Sequence, residues 1–164
     1  MFKRLKNSVY IILITDKYGG DTMKKLFKIS TFYLVLGLIL GVFYREFSKL
    51  NEFTGVTTLS ATHTHALVLG FIFFIIVLLL EKNFFISKIK SFKIWLVTYN
   101  VGLIYLLSTL VYRGILQVQG VDFSGLSHIA GLGHAVLGIS LIWFVVIVNK
   151  AIKNYEEKTI EKNA

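Results

Sequence analysis

Apolar residues in this chain gather in four long blocks, not in the short alternating runs of a sheet. The blocks run from about Leu26 to Tyr44, Thr62 to Leu80, Ile94 to Val111 and Ile129 to Val148. Each is close to the ~20 helical residues that cross a hydrocarbon core about 30 Å thick. None shows the period-two alternation of a membrane barrel. Helices satisfy every backbone hydrogen bond within one segment, so they are the expected solution in lipid. The pattern predicts an all-α, polytopic membrane protein, an antiparallel bundle of four transmembrane helices.

Polar residues between the blocks predict orientation. Lys24, Lys25 and Lys28 precede the first block, Lys82, Lys88, Lys90 and Lys93 fall between the second and third, and Lys150 and Lys153 follow the fourth. The other two loops are poorer in basic residues and carry Glu46, Glu52 and Asp122. The positive-inside rule then puts the lysine-rich segments and both termini in the cytoplasm, with the chain in a bacterial inner membrane.

Composition agrees with this reading. Of 164 residues, 55% are hydrophobic, more than a water-soluble domain of this length could cover. Cysteine is absent, which removes disulfides, thiolate metal sites and iron–sulfur clusters from consideration. Proline is absent too, so long helices meet no breaker. The net charge of +9 sits between apolar blocks, where anionic lipid headgroups explain it better than nucleic acid does.

The ends differ from the four-block region, which spans residues 23–150. Residues 151–164 form a charged cytoplasmic tail. In residues 1–22, Met1–Asn7 is basic and Val9–Thr15 apolar, but the run is short. Asp16-Lys17-Tyr18 also stands where a signal peptide would carry a small-residue cleavage site. Gly19-Gly20-Asp21 is compatible with a purine-rich ribosome-binding sequence ahead of Met23, and Met-Lys-Lys-Leu-Phe-Lys then reads as a natural opening. The segment is thus expected to be untranslated upstream sequence, or else a short cytoplasmic or interfacial tail.

The two halves of the chain resemble each other. Tyr33–Glu46 reads YLVLGLILGVFYRE and Val101–Gly114 reads VGLIYLLSTLVYRG, each with Tyr-Arg near its end. Further on, His65-Ala66 precedes Leu67-Val68-Leu69-Gly70, while His134-Ala135 precedes Val136-Leu137-Gly138. Arg45 and His65 are 20 residues apart, Arg113 and His134 21. The expectation is two repeated helical hairpins related by an axis along the membrane normal. His65 and His134 would then lie level, about 21–22 Å from the inner boundary at 1.5 Å per residue, with Arg45 and Arg113 near the outer interface.

Histidine within a membrane span usually faces a bundle interior or a cavity. A single one reads as an interhelical hydrogen-bond former. Two at one depth, each with an arginine beyond it, suggest a haem b held axially by His65 and His134, its propionates met by Arg45 and Arg113. Gly131 and Gly138 on the face of His134, and Ala61 and Thr62 on that of His65, leave room for a flat ligand. Gly37 and Gly41 read as a helix-packing pair.

His63 stands about 200° from His65 on the same helix, and His128 near the mouth of the fourth span. They read as a hydrogen-bonding rim or proton path, or as a secondary metal site. Asn100, Ser108 and Thr109 are expected to bond between helices. The abundant Phe and Tyr read as lipid-facing filler and interfacial belt, not as a quinone site.

Thr62–Gly70, together with Gly125–Gly138 and the four-span layout, resembles a family of small bacterial four-helix membrane proteins known as a domain of unknown function. The resemblance covers nearly everything after Met23. More distantly, His65 at the outer end of the second helix is similar to the low-spin haem ligand of haem–copper oxidase catalytic subunits. The chain departs from those enzymes decisively, having four spans, no proline, no His-Pro-Glu element and no additional histidines for a copper–haem site. The resemblance implies at most a haem ligand at His65, with His134 added by the repeat, and no oxygen reduction.

The leading expectation is a haem protein for electron transfer, haem sensing or haem handling, with the lipid bilayer and a membrane redox partner or further copies as its partners. Two others stay open: a structural or accessory subunit whose histidines tie helices together, and a transition-metal carrier, for copper for example, using imidazole ligands. There is no phosphate-binding loop and no nucleophile–base motif, so the sequence leans away from an enzyme.

Overall fold

The computed structural model describes the backbone of residues 2–121 and 125–163, and side chains from Gly20 onward apart from residues 122–124, 127, 130 and 162–164. Asp122, counted above among the loop acids, lies outside the described residues. Helix dominates: α1 spans Phe2–Leu50, α2 Leu59–Phe84, α3 Phe92–Val118 and α4 Gly125–Asn163. A single 3₁₀ turn, Ile86–Lys88, separates α2 from α3, and no strand occurs among the described residues. Within these helices, Gly20–Leu50, Leu59–Phe84, Phe92–Val118 and Gly131–Glu161 are long and apolar enough to cross a membrane.

Each helix outruns the apolar block that predicts it. Without proline, nothing in the polar flanks breaks the i→i−4 ladder, and the lysines and glutamates that follow Val148 are themselves good helix formers. The helices stop where the backbone turns left-handed. Phe85 ends α2 at φ 52°, and Gly120 follows α3 at φ 73°, a conformation that suits glycine. The Phe85 turn is held by the buried Glu81 carboxylate, which accepts the Ser87 backbone N–H at 2.8 Å and its hydroxyl at 2.6 Å.

One irregularity lies inside α2. Its Leu59–His65 and Phe73–Phe84 portions are α-helical, but Ala66–Ile72 between them is π-helical. Two neighbouring helices support this wider turn. The Tyr99 hydroxyl of α3 donates to the Leu69 carbonyl at 2.9 Å, and the Ser30 hydroxyl of α1 donates to the Phe71 carbonyl at 3.4 Å. Gly70, within the same turn, lies so close to Tyr33 of α1 that a Cβ would run into its ring.

α2 is the hub of the packing. It meets α1 along most of its length, α3 chiefly through Leu59–Ile72, and α4 chiefly through Phe73–Phe84. α3 and α4 form the other extended contact. The core holds Tyr33, Phe74, Phe92, Trp95, Tyr99 and Phe144, all buried, with Phe73 packed against them. Ring pairs Phe73–Tyr99 and Trp95–Phe144 stack at 4.7 and 4.5 Å between centroids. The indole N–H of Trp95 donates to the Ser140 carbonyl at 2.9 Å, and the Tyr33 hydroxyl to Asn100 Oδ1 at 3.0 Å. These aromatics are therefore core, where the sequence suggested filler and belt. Outward, Phe27, Leu38, Val42, Ile94, Val101, Ile139, Ile142 and Val145 are exposed, an apolar surface compatible with a lipid bilayer.

Candidate functional site at the histidine pair

His65 ends the first α-helical portion of α2, immediately before the π turn, and His134 stands on α4. Their rings lie 6.1 Å apart between centroids, with planes at 89°. The structure thus brings together the two histidines that the repeat singles out. The contact lies where α2 and α4 part: α4 touches Phe73–Phe84 of α2 but meets Leu59–Ile72 only marginally. The imidazoles meet edge to face where the two helices diverge, beyond the aromatic core.

His65 is half-buried, and its Nδ1 lies 2.8 Å from the Ala61 carbonyl one turn back. Bonding of that kind protonates Nδ1 and leaves Nε2 as the outward lone pair, the tautomer suited to binding a metal. His134 is more exposed. At Gly131 and Gly138, on the same face of α4, an added Cβ would meet nothing within 4 Å. The face that carries His134 therefore borders open space a turn to either side.

Two imidazoles bound to opposite sides of one ion, each through a bond of about 2 Å, have ring centroids on the order of 6 Å apart. The observed 6.1 Å fits that span. Among the described residues no three His, Cys, Asp or Glu side chains converge as metal ligands. A bare zinc ion, which takes about four ligands, is poorly served by such a pair, whereas a copper(I) ion can be held linearly by two imidazoles. A haem brings four nitrogens of its own and needs only two axial ligands.

The remaining candidates lie apart from this contact. His63 faces α1 opposite Gly41, whose added Cβ would lie 3.6 Å from the His63 Cβ, and its buried Nδ1 has no hydrogen-bond partner. His128 is exposed near the start of α4. Arg45 is 80% exposed, its Nε 3.8 Å from its chain neighbour Glu46. Arg113 is half-buried beside Gly114, against which Thr57 and Leu59 of α2 pack closely. Gly37 abuts Leu67 and Ala66, so the glycine pair of α1 packs against α2 as expected.

The three residues expected to bond between helices differ. Asn100 does so, accepting from Tyr33, but the Thr109 hydroxyl turns back to the Leu106 carbonyl of its own helix at 2.8 Å. Ser108 makes no side-chain hydrogen bond among the described residues, because it points into a groove between α3 and α4. That groove and the π turn are features that sequence reasoning missed. The faint signal for the groove is Tyr105, Ser108, Thr109 and Tyr112, four hydroxyls on one helical face.

Comparison with known proteins adds one match. The model of a family described as "Protein of unknown function (DUF2871)" matches residues 23–151. No curated protein and no solved structure matches the chain.

Proposed function

The chain belongs to the DUF2871 family, and from that premise we propose that it is a bacterial inner-membrane protein that binds haem b between His65 and His134. The observation that carries this reading is the 6.1 Å separation of two imidazoles on different helices, where those helices diverge. The Nδ1 contact of His65 and the open space beside Gly131 and Gly138 support it. The bound group would supply a reversible one-electron iron couple. The protein would fix both imidazoles, keep water from the apolar side of the site, and balance the propionates with Arg45 and Arg113. Electron transfer, haem sensing and haem handling are the roles open to such a site, with a membrane redox partner or further copies of the chain as partners.

The same reading gives the helices an alternating, antiparallel course built from two hairpins. Successive α1 residues Tyr33, Gly37 and Gly41 meet Gly70, Leu67 and His63 of α2 in descending order, which supports it for the first hairpin. In the second, Trp95 meets Ser140, Gly102 meets Val136, and Tyr105 meets Ile129. The lysine-rich turn and both termini then face the cytoplasm. Reporter fusions after Lys90 and at the C-terminus should report cytoplasm, and one near Leu50 the exterior.

The deciding experiment is an absorption spectrum of protein made with ample haem. A sharp six-coordinate low-spin spectrum is expected. His65→Ala and His134→Ala should each abolish it or leave a five-coordinate form, because one axial ligand cannot hold the iron low-spin. His63→Ala and His128→Ala should leave it nearly intact, while Arg45→Ala and Arg113→Ala should weaken retention. Colourless protein overturns the assignment. The direct ring contact then favours the second reading, an edge-to-face pair that merely ties α2 to α4 in an accessory subunit. Metal analysis of the same sample would test the copper reading.

A further inference from the structure

A groove of about 260 Å³ lies between α3 and α4, lined by Tyr105, Ser108, Thr109, Tyr112, Leu126 and Ile129. Tyr105 and Thr109 have their hydroxyls committed, to the Ile129 carbonyl at 3.2 Å and the Leu106 carbonyl at 2.8 Å. Ser108 and Tyr112 have no hydrogen-bond partner among the described residues. Thr31, Thr98 and Thr109 turn their hydroxyls back onto their own helices, and the partnerless hydroxyls of Ser48 and Ser140 are buried, whereas Ser108 is exposed in the groove and open to an acceptor from outside. A hydroxyl left unpaired in hydrocarbon is costly, so Ser108 calls for an acceptor from outside the chain, and Tyr112 can meet the same acceptor from nearer the interface.

We propose that this groove binds the ring of a lipid-soluble quinone, whose carbonyls accept hydrogen bonds from Ser108 and Tyr112. Ser108 and Tyr112 stand four residues apart, one turn of α3, so their hydroxyls serve the same groove. Tyr105 and Tyr112 both line it, and aromatic rings suit a flat partner. A phospholipid would offer carbonyls too, but its esters lie at the interface. Ser108 is five residues, about 7.5 Å, deeper along α3 than Arg113, where an acceptor must dissolve in hydrocarbon. The groove holds one ring and is open on one side, so an isoprenoid tail would run out among the lipids. Its wall also adjoins the histidine pair: an added Cβ on Gly133, the neighbour of His134, would lie 3.1 Å from the Tyr105 ring. Binding does not depend on the haem reading, so colourless protein that still takes up quinone would remove only the haem.

The test uses the full chain in lipid nanodiscs, with a short-tailed benzoquinone as probe and empty nanodiscs as the reference. Saturable uptake of one quinone per protein is expected. Ser108→Ala and Tyr112→Phe should each weaken it about fivefold, the value of one hydrogen bond, while Ser108→Thr keeps it. Ser108→Leu should abolish uptake by filling the groove; the milder pair decides the matter if that variant does not fold. An azido-substituted form of the probe should crosslink to Tyr105–Tyr112 or Leu126–Ile129. Uptake no greater than in empty nanodiscs overturns the proposal. So does uptake unchanged by Ser108→Ala and Tyr112→Phe, or equal competition by an alkylbenzene without carbonyls or by added phospholipid.

Discussion

The two ends of the α2–α4 contact are built on opposite plans. Toward the lysine-rich end, Phe73, Trp95, Tyr99 and Phe144 interlock, with ring separations down to 4.5 Å and the Trp95 N–H satisfied by a backbone carbonyl. Toward the arginines, the helices part and the edge-to-face rings of His65 and His134 meet between them, beside Gly131 and Gly138, where an added Cβ would find nothing within 4 Å. In a bilayer, where lipid tails are as apolar as leucine, close packing and interhelical hydrogen bonds hold helices together. The aromatic end has both. At the histidine end the hydrogen bonds run from Thr57 and Thr58 to α3 and from Tyr105 to α4, while the direct approach of α2 to α4 is slight, so that approach contributes little to stability and can be spent on binding.

Substitutions can break that contrast or sharpen it. Trp95→Ala removes a fully buried ring and its bond to Ser140, and should cost about 3–5 kcal/mol in reversible unfolding from mixed micelles. His65→Ala should cost less than about 1 kcal/mol in the same assay. Equal costs would erase the distinction between the two ends. Next in size is Gly70→Val, which drives a side chain into Tyr33 and should cost about 1–3 kcal/mol. Gly138→Leu at the open end should stay within about 0.5 kcal/mol yet prevent haem uptake; a large loss of stability there would mean the space is closed. Also small is Tyr99→Phe, which deletes one hydrogen bond to the π turn for about 0.6 kcal/mol.

Sequence reveals whatever depends on one segment at a time. The four helices follow from the length of apolar blocks, and their overruns from the lack of any breaker. The pairing of His65 with His134 was legible because near-equal spacing from Arg45 and Arg113, 20 and 21 residues, suggests one height for both without knowledge of the packing. Features that depend on which helix faces which were hidden. Trp95 and Tyr99 have the same composition whether they face lipid or core, and only the approach of Phe73 and Phe144 makes them interior. The outcome at Ser108 and Thr109 was equally closed to sequence. Both are hydroxyls on one turn, and one finds a carbonyl on its own helix while the other does not.

The π turn also bears on what the loss of one residue would do to this chain. His134 and Gly138 are four residues apart, whereas His65 and Gly70, which begin and nearly end a similar string of aliphatic residues, are five apart. One surplus residue in an α-helix would swing everything on one side of it by about 100° relative to the other side. A π turn absorbs such a surplus in place. Val68, exposed inside that turn, is thus the natural residue to remove. Its deletion should return Ala66–Ile72 to ordinary α-helix, leave Phe73 and Phe74 against the aromatic core, and turn His65 away from His134. Read in reverse, returning one residue to that shortened helix should bring the two imidazoles face to face again.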